Sequence, residues 1–220
     1  MALRYLITAL LLLSGMSAAS AAPVTLPHFP QAPGLFARAD LPASAPIESV
    51  VLSPLFNQRF VCAEHPDGEL RQLGDALGTD CLVIGGMIDR ENGFFRLFRT
   101  DGKRNEDWYG WHTEVLAPFT GTVVGVSNNP VTNTPGSMKP SLPSFIVFRR
   151  ADDLIVAYAH VTDIRVRIGD RVSAGQVVAL DGNNGFARAP HVHVGAYRGT
   201  TPFQIRWDLR AEHRIFPDQN

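Results

Sequence analysis

Pro190-His191-Val192-His193-Val194, entered through Asp181-Gly182-Asn183-Asn184-Gly185, is the stretch on which the reading of this chain turns. Side chains of an extended strand alternate with a period of two, so His191 and His193 share one face while Val192 and Val194 turn to the other. Two imidazoles on one face suit a zinc site, because neutral histidine is the commonest protein ligand for that metal. An isolated His-x-His is weak on its own, since a histidine in a half-buried sheet can simply hydrogen-bond. A third histidine, His160 in Val156-Ala157-Tyr158-Ala159-His160-Val161, sits in a similar apolar run that strand pairing would bring alongside.

Outward from this stretch the punctuation is regular. The runs Glu114 to Pro118, Gly121 to Val126, Phe145 to Phe148, Leu154 to Tyr158, Ile164 to Arg167, Gln176 to Leu180 and His191 to Tyr197 are short, rich in β-branched residues and separated by turn residues. That rhythm predicts a mainly β chain: an antiparallel β-sheet sandwich or open barrel with long loops, the longest running from Asn128 to Pro143. A helical period is absent except for one turn over Leu209 to His213.

Upstream, Ile47 to Arg99 holds short apolar runs broken by Asp-Gly, Gly-Gly and Asn-Gly pairs. We read residues 47–99 as an N-terminal β-rich subdomain, with strands at Val83 to Gly86 and at Phe94 to Phe98 after an Asn92-Gly93 turn. Residues 22–46 are rich in Pro and Ala without a sustained period and read as a flexible entry segment. Met1 to Ala21 has an early Arg4, an apolar run from Leu6 to Leu13 and an Ala19-Ser20-Ala21 end, the layout of a signal peptide. The expected location is periplasmic or secreted, with no membrane attachment after signal cleavage. Cys62 and Cys81 are the only cysteines. In an oxidising compartment they read as a structural bridge closing a loop of about 20 residues, worth on the order of 3 kcal/mol. With 20 basic against 21 acidic residues there is no electrostatic footprint for nucleic acid.

Three elements in order, Tyr158-Ala159-His160-Val161, then Val166 to Ala179 with Gly169, Val172 and Gly175, then Gly182-Asn183-Asn184-Gly185 and Pro190 to Val194, resemble the closing half of the lysostaphin-type (LytM-like) zinc endopeptidases. Val115-Leu116-Ala117-Pro118-Phe119-Thr120-Gly121-Thr122-Val123 is similar to that family's first strand pair. The resemblance covers roughly residues 100 to 200. It implies the LytM-like sandwich of the duplicated hybrid motif type over 100–220, with a C-terminal extension. It also implies Zn(2+) as cofactor and hydrolysis of the peptides of bacterial cell-wall peptidoglycan. By the same correspondence His193 would bind metal and His160 and His191 would be the catalytic pair.

The family takes its remaining metal ligands from an H-x-x-x-D motif ahead of the first strand pair. Counting back from Ala117-Pro118 puts the aspartate at Glu106 or Asp107, with Asp107 the natural candidate, but four residues before Asp107 stands Lys103. An ammonium has no lone pair to give a metal. Three repairs are open: Asn105 or Glu106 ligating beside Asp107, His112 as a replacement nitrogen, or a relic site. His65, His28 and His213 read as exposed loop histidines, and the aromatic residues Trp108, Tyr109 and Trp111 as packing at turns.

Two functions follow from the resemblance. The first is a secreted zinc metalloendopeptidase. The second is a catalytically inactive LytM-like domain that binds cell wall or regulates a partner hydrolase in the envelope, which Lys103 favours. A lipoyl- or biotinyl-carrier module, suggested by the rhythm of Val166 to Ala179, lacks the lysine it would need in the turn at Asp181 to Gly185.

Overall fold

The computed structural model of the chain describes residues 26–86 and 94–216. The Met1 to Ala21 leader and the Asn92-Gly93 turn lie outside the described residues. Among those residues there is no helix long and apolar enough to cross a membrane.

The strands are β1 (Ser49–Leu52), β2 (Phe60–Glu64), β3 (Thr79–Val83), β4 (Glu114–Leu116), β5 (Gly121–Ser127), β6 (Phe145–Arg149), β7 (Ile155–Ala159), β8 (Arg171–Val172), β9 (Val177–Leu180), β10 (Val192–Arg198), β11 (Thr201–Pro202) and β12 (Gln204–Trp207). One short helix, α1 (Leu209–Ile215), follows. The main sheet runs β2-β3-β10-β7-β6-β5-β8, with β11 added to β10, and all its pairings are antiparallel. Two small sheets accompany it, an antiparallel β4-β9 pair and a parallel β1-β12 pair. The mainly antiparallel β architecture is therefore the one the turn rhythm predicts. The stretch from Ile164 to Arg167 is not a strand, and Phe94 to Phe98 contributes only isolated bridges at Arg96 and Phe98.

Both faces of the central strands are apolar, and this decides what lies on each side. On β6, Ile146 and Phe148 point into the main core with Val156 and Tyr158 of β7, and Val115, Val178 and Ala179 of the β4-β9 layer pack against them. Val147, Ile155 and Ala157 point the other way. A bare apolar face would cost roughly 25 cal/mol per Å² left in water, so something must cover it. The cover is the N-terminal segment: Phe29, Ala32 and Leu35 are buried against Val124, Val147 and Tyr197, and the Tyr197 hydroxyl donates to Pro33 O at 3.1 Å. Within its described part, the segment read as a flexible entry is packed, because β6 and β7 are apolar on both faces rather than alternating.

The boundary at residue 99 does not separate two sheets either. β2 and β3 form a hairpin whose second strand pairs directly with β10, with His193 opposite Asp80 and Val192 opposite Cys81. Cys62 and Cys81 face each other in this hairpin and are disulfide-bonded. On its other side β10 pairs with β7, with His193 opposite Ala159. The strand carrying the His-x-His pair thus lies between the strand bearing Asp80 and the strand ending at His160.

Candidate metal and catalytic site

Three of the sequence-predicted site residues, His160, His191 and His193, gather at one end of β7 and β10. Their rings are buried, with centroids 4.6 Å apart for His160 and His191 and 6.4 Å apart for His160 and His193. Val192 and Val194 enter the core on the opposite face, as the period of two requires.

The two flanking histidines are held by main-chain carbonyls. His160 Nδ1 donates to Asn184 O at 2.8 Å, and His191 Nδ1 donates to Ala189 O at 2.8 Å. A carbonyl can only accept, so each Nδ1 carries the proton and each Nε2 keeps a lone pair. His160 adopts a left-handed backbone at φ 67° and is fixed there by its N–H to Ser144 O. Asn184 completes the clamp, its Nδ2 donating to His160 O at 3.0 Å and to Val161 O at 2.9 Å. Such strained conformations cluster at functional sites. Burial, and then the neighbouring histidines, hold the His160 imidazole well below its ordinary value, and burial lowers that of His191 too. Both rings are neutral at pH 7.

The fourth predicted residue, Asp107, is not part of this group. It ends a short 3-10 turn, Asn105–Asp107, and its carboxylate accepts from Arg104 N at 3.0 Å and lies 3.5 Å from the Arg104 guanidinium. A hydrogen bond from Thr100, and then Arg104, lower its pKa. Asp107 already has its cation. Neither replacement ligand is realised in its place. Asn105 is buried in an amide network, donating to Asn133 O and accepting from Asn183 Nδ2, while Glu106 and His112 are exposed. Lys103 is exposed and pairs with Asp101 at 2.9 Å.

The partners of His193 come from the β2-β3 hairpin instead. One ligand atom each from His65, Asp80 and His193 lies within 4.8 Å of the other two, the one such group of three among the described residues. His193 Nδ1 is 2.9 Å from Asp80 Oδ1, His65 Nε2 is 3.4 Å from Asp80 Oδ2, and His191 Nε2 is 3.6 Å from Asp80 Oδ1. His65 is no exposed loop histidine: its side chain retains 17% of its accessible surface and its ring centroid is 5.5 Å from that of His193. His28 and His213 are exposed, as expected.

This group fits a zinc ion. Two imidazoles and a carboxylate are a known catalytic donor set that leaves a position open. His65 Nε2 is buried without an aligned hydrogen-bond partner, and that nitrogen faces Asp80. Burial works against charge on Asp80, but the hydrogen bond from His193 and the charges of His191, His193 and His65 hold its carboxyl well below the usual carboxylate range. Burial likewise opposes a proton on His193, yet Asp75 and Asp80 together hold that imidazole up at about 9. Zinc binding here would displace the proton that His193 Nδ1 donates to Asp80.

Two residues of the site, His65 and Asp80, were thus missed in the sequence. The signal that would have found them is the disulfide. A Cys62–Cys81 bridge across an antiparallel hairpin sets Ala63 opposite Asp80 and Glu64 opposite Thr79, which brings His65 and Asp80 to the same end.

The 128–143 loop also reaches the site. Asn128, Asn129, Pro130 and Thr132 line a cavity of about 430 Å³ whose wall includes Trp111 and the same Asn184 that holds His160.

Residues 109–205 match the family model described as peptidase family M23. A stretch of 36 residues is 44% identical to glycyl-glycine endopeptidase ALE-1 of Staphylococcus capitis, covering 16% of this chain and 10% of that protein. A stretch of 81 residues is 30% identical to peptidoglycan DD-endopeptidase ShyA of Vibrio cholerae, covering 37% of this chain and 16% of that protein. The chain thus spans less than a fifth of either relative. Among solved structures, the catalytic domain of the prophage-encoded M23 protein EnpA from Enterococcus faecalis aligns at 23% identity and a TM-score of 0.42, covering 67% of this chain and 87% of that one. The histidine-bearing stretch from 109 to 205 is thus the part of this chain that is similar to peptidase family M23.

Proposed function

We propose that this chain is an exported zinc metalloendopeptidase that hydrolyses peptide bonds of bacterial cell-wall peptidoglycan, with zinc held by His65, Asp80 and His193 and proton transfer handled by His160 and His191. The observation that carries the proposal is the meeting of three ligand atoms within 4.8 Å beside two neutral, carbonyl-anchored imidazoles. The leader-like Met1 to Ala21 and the disulfide fit work in an oxidising envelope compartment.

Zinc held by three protein donors binds a water whose pKa it lowers and polarises a substrate carbonyl. The chain's own part is proton handling and orientation. Nδ1 of His160 and of His191 is committed to a carbonyl, so only Nε2 of each can take a proton. Charge on His191 disfavours charge on the adjacent His160, so one proton at a time is the comfortable load. The ring that has accepted a proton at Nε2 becomes a donor, able to stabilise a negative oxygen or to protonate a leaving amine. Asn184 keeps the His160 ring in place through both its main chain and its imidazole.

The test is metal content and bond cleavage in the same preparations. Mature protein is expected to bind one zinc per chain and to release new amino groups from purified sacculi. His160→Ala should keep the metal and lose about 10²–10⁴-fold in rate. Zinc-loaded wild type that sediments with sacculi yet releases no amino groups would establish the second reading, a wall-binding or regulatory module.

A further inference from the structure

We infer that Asp75 is a positioning residue for the metal site: it keeps the proton of His193 on Nε2 and so turns the Nδ1 lone pair toward the metal. The inference rests on the zinc reading above. His193 has a carboxylate at each ring nitrogen: Nδ1 donates to Asp80 Oδ1 at 2.9 Å, and Asp75 Oδ1 lies 3.3 Å from Nε2 without hydrogen-bond alignment. His65 also converges on Asp80, so Nδ1 is the nitrogen on the metal side. With zinc on Nδ1 the imidazole keeps one proton, and Nε2 faces a carboxylate oxygen that can accept it.

The fold holds Asp75 there by backbone contact. Asp75 N donates to Gln72 O at 2.9 Å, Gly78 N donates to Asp75 O at 2.8 Å, and Gly74 N donates to Leu35 O at 2.9 Å. The turn lies flat on β10. A Cβ on Gly195 of β10 would collide with Gly74 O, and a Cβ on Gly78 would come within 2.9 Å of Val194 O and 3.0 Å of His193 Cε1. Glycine at both positions is what lets the turn approach closely enough for Asp75 to reach the imidazole.

The same arrangement sorts the three histidines. His160 and His191 have their acceptors at Nδ1 and leave Nε2 open, whereas His193 has Asp75 at Nε2 and leaves Nδ1 for the metal. With zinc on Nδ1 of His193, displacing the proton that nitrogen donates to Asp80, the two proton carriers and the ligand sit in opposite tautomers.

The experiment uses the full mature chain, labelled with ¹⁵N and titrated with zinc. Long-range ¹H–¹⁵N correlation of the imidazoles is expected to show zinc on Nδ1 and the proton on Nε2 of His193, with the reverse proton placement on His160 and His191. Competition with a chelator should give a zinc Kd raised about 10–100-fold in Asp75→Ala, with the His193 proton pattern altered. Asp75→Asn, whose Oδ1 can still accept, should recover part of that loss and guards against a simple folding defect. Zinc on Nε2 of His193, or an Asp75→Ala affinity within twofold of wild type, would overturn the role of Asp75 alone. Wild type that binds no zinc would overturn the zinc reading and this role together.

Discussion

Asp80 and Asp107 are both aspartates held in the ionised form, and they show what separates a candidate ligand from a structural acid. Asp107 stands where the resemblance assigns a metal ligand, yet its neighbours are Thr100, the Arg104 N–H and the Arg104 guanidinium, all of them donors. Asp80 stands where no motif points, and its neighbours are three imidazoles, groups that can give up a proton and offer the freed lone pair to a metal. An acid that already faces fixed donors has no use for a metal. An acid ringed by imidazoles can trade their protons for a metal cation. The largest effect we expect breaks the comparison directly. Asp80→Asn should weaken zinc binding by more than about 100-fold, beyond what losing a positioning partner does. Asp107→Asn should leave zinc affinity unchanged and lower the melting temperature. Chelator competition and a thermal melt on each variant decide it, and zinc loss in Asp107→Asn would return the site to the position the motif suggests.

What was legible in the sequence follows the range of the interactions involved. The alternation of His191, Val192, His193 and Val194 is local, so the shared face of the two histidines could be read, as could the strands β5, β6, β7 and β9 within a residue or two. That His160 would join them needed only pairing between neighbouring β-type runs. His65 and Asp80 lie 128 and 113 positions before His193 along the chain, on a hairpin whose register no local pattern announces. Pro66, Asp67 and Gly68 made His65 look like a turn residue, yet its N–H extends the hairpin ladder by donating to Gly78 O at 2.9 Å. The packed N-terminal segment was unreadable for a different reason: Phe29, Ala32 and Leu35 become buried only because β6 and β7 turn a second apolar face toward them.

The second prediction sharpens the comparison by loosening one region and not the other. The Cys62–Cys81 bridge flanks the ligands, three residues before His65 and one after Asp80, whereas the Arg104 to Asp107 turn has no covalent tie. Replacing both cysteines with serine should cost about 3 kcal/mol, a drop on the order of 10 °C in melting temperature. It should also weaken zinc binding, because His65 and Asp80 are presented by the two strands the bridge joins. Added zinc should return part of the lost stability, since a ligand that binds only the folded state stabilises it by mass action. A double variant whose melting temperature falls but whose zinc affinity is unchanged would mean that pairing with β10 alone holds Asp80 in place.

Asp181 supplies the smallest effect and the control for burial itself. Its carboxyl is wholly buried between β9 and the turn at Gly110, and neither oxygen has a hydrogen-bond partner among the described residues. Burial drives its pKa well above the ordinary value, opposite to Asp80, because no imidazole or guanidinium offsets the desolvation. A group whose pKa is raised on folding contributes stability that is complete below its unfolded value, near 3.8, and is lost as pH climbs through its folded value. Asp181→Asn removes that dependence. The variant should match wild type closely near pH 4 and become the more stable of the two as pH rises, by an amount on the order of 1–3 kcal/mol, or a few degrees of melting temperature. Melting curves of both proteins from pH 4 to pH 9 measure the gap. Parallel curves would mean that Asp181 has a partner for its charge in solution, and burial without lone-pair neighbours would then no longer distinguish it from Asp80.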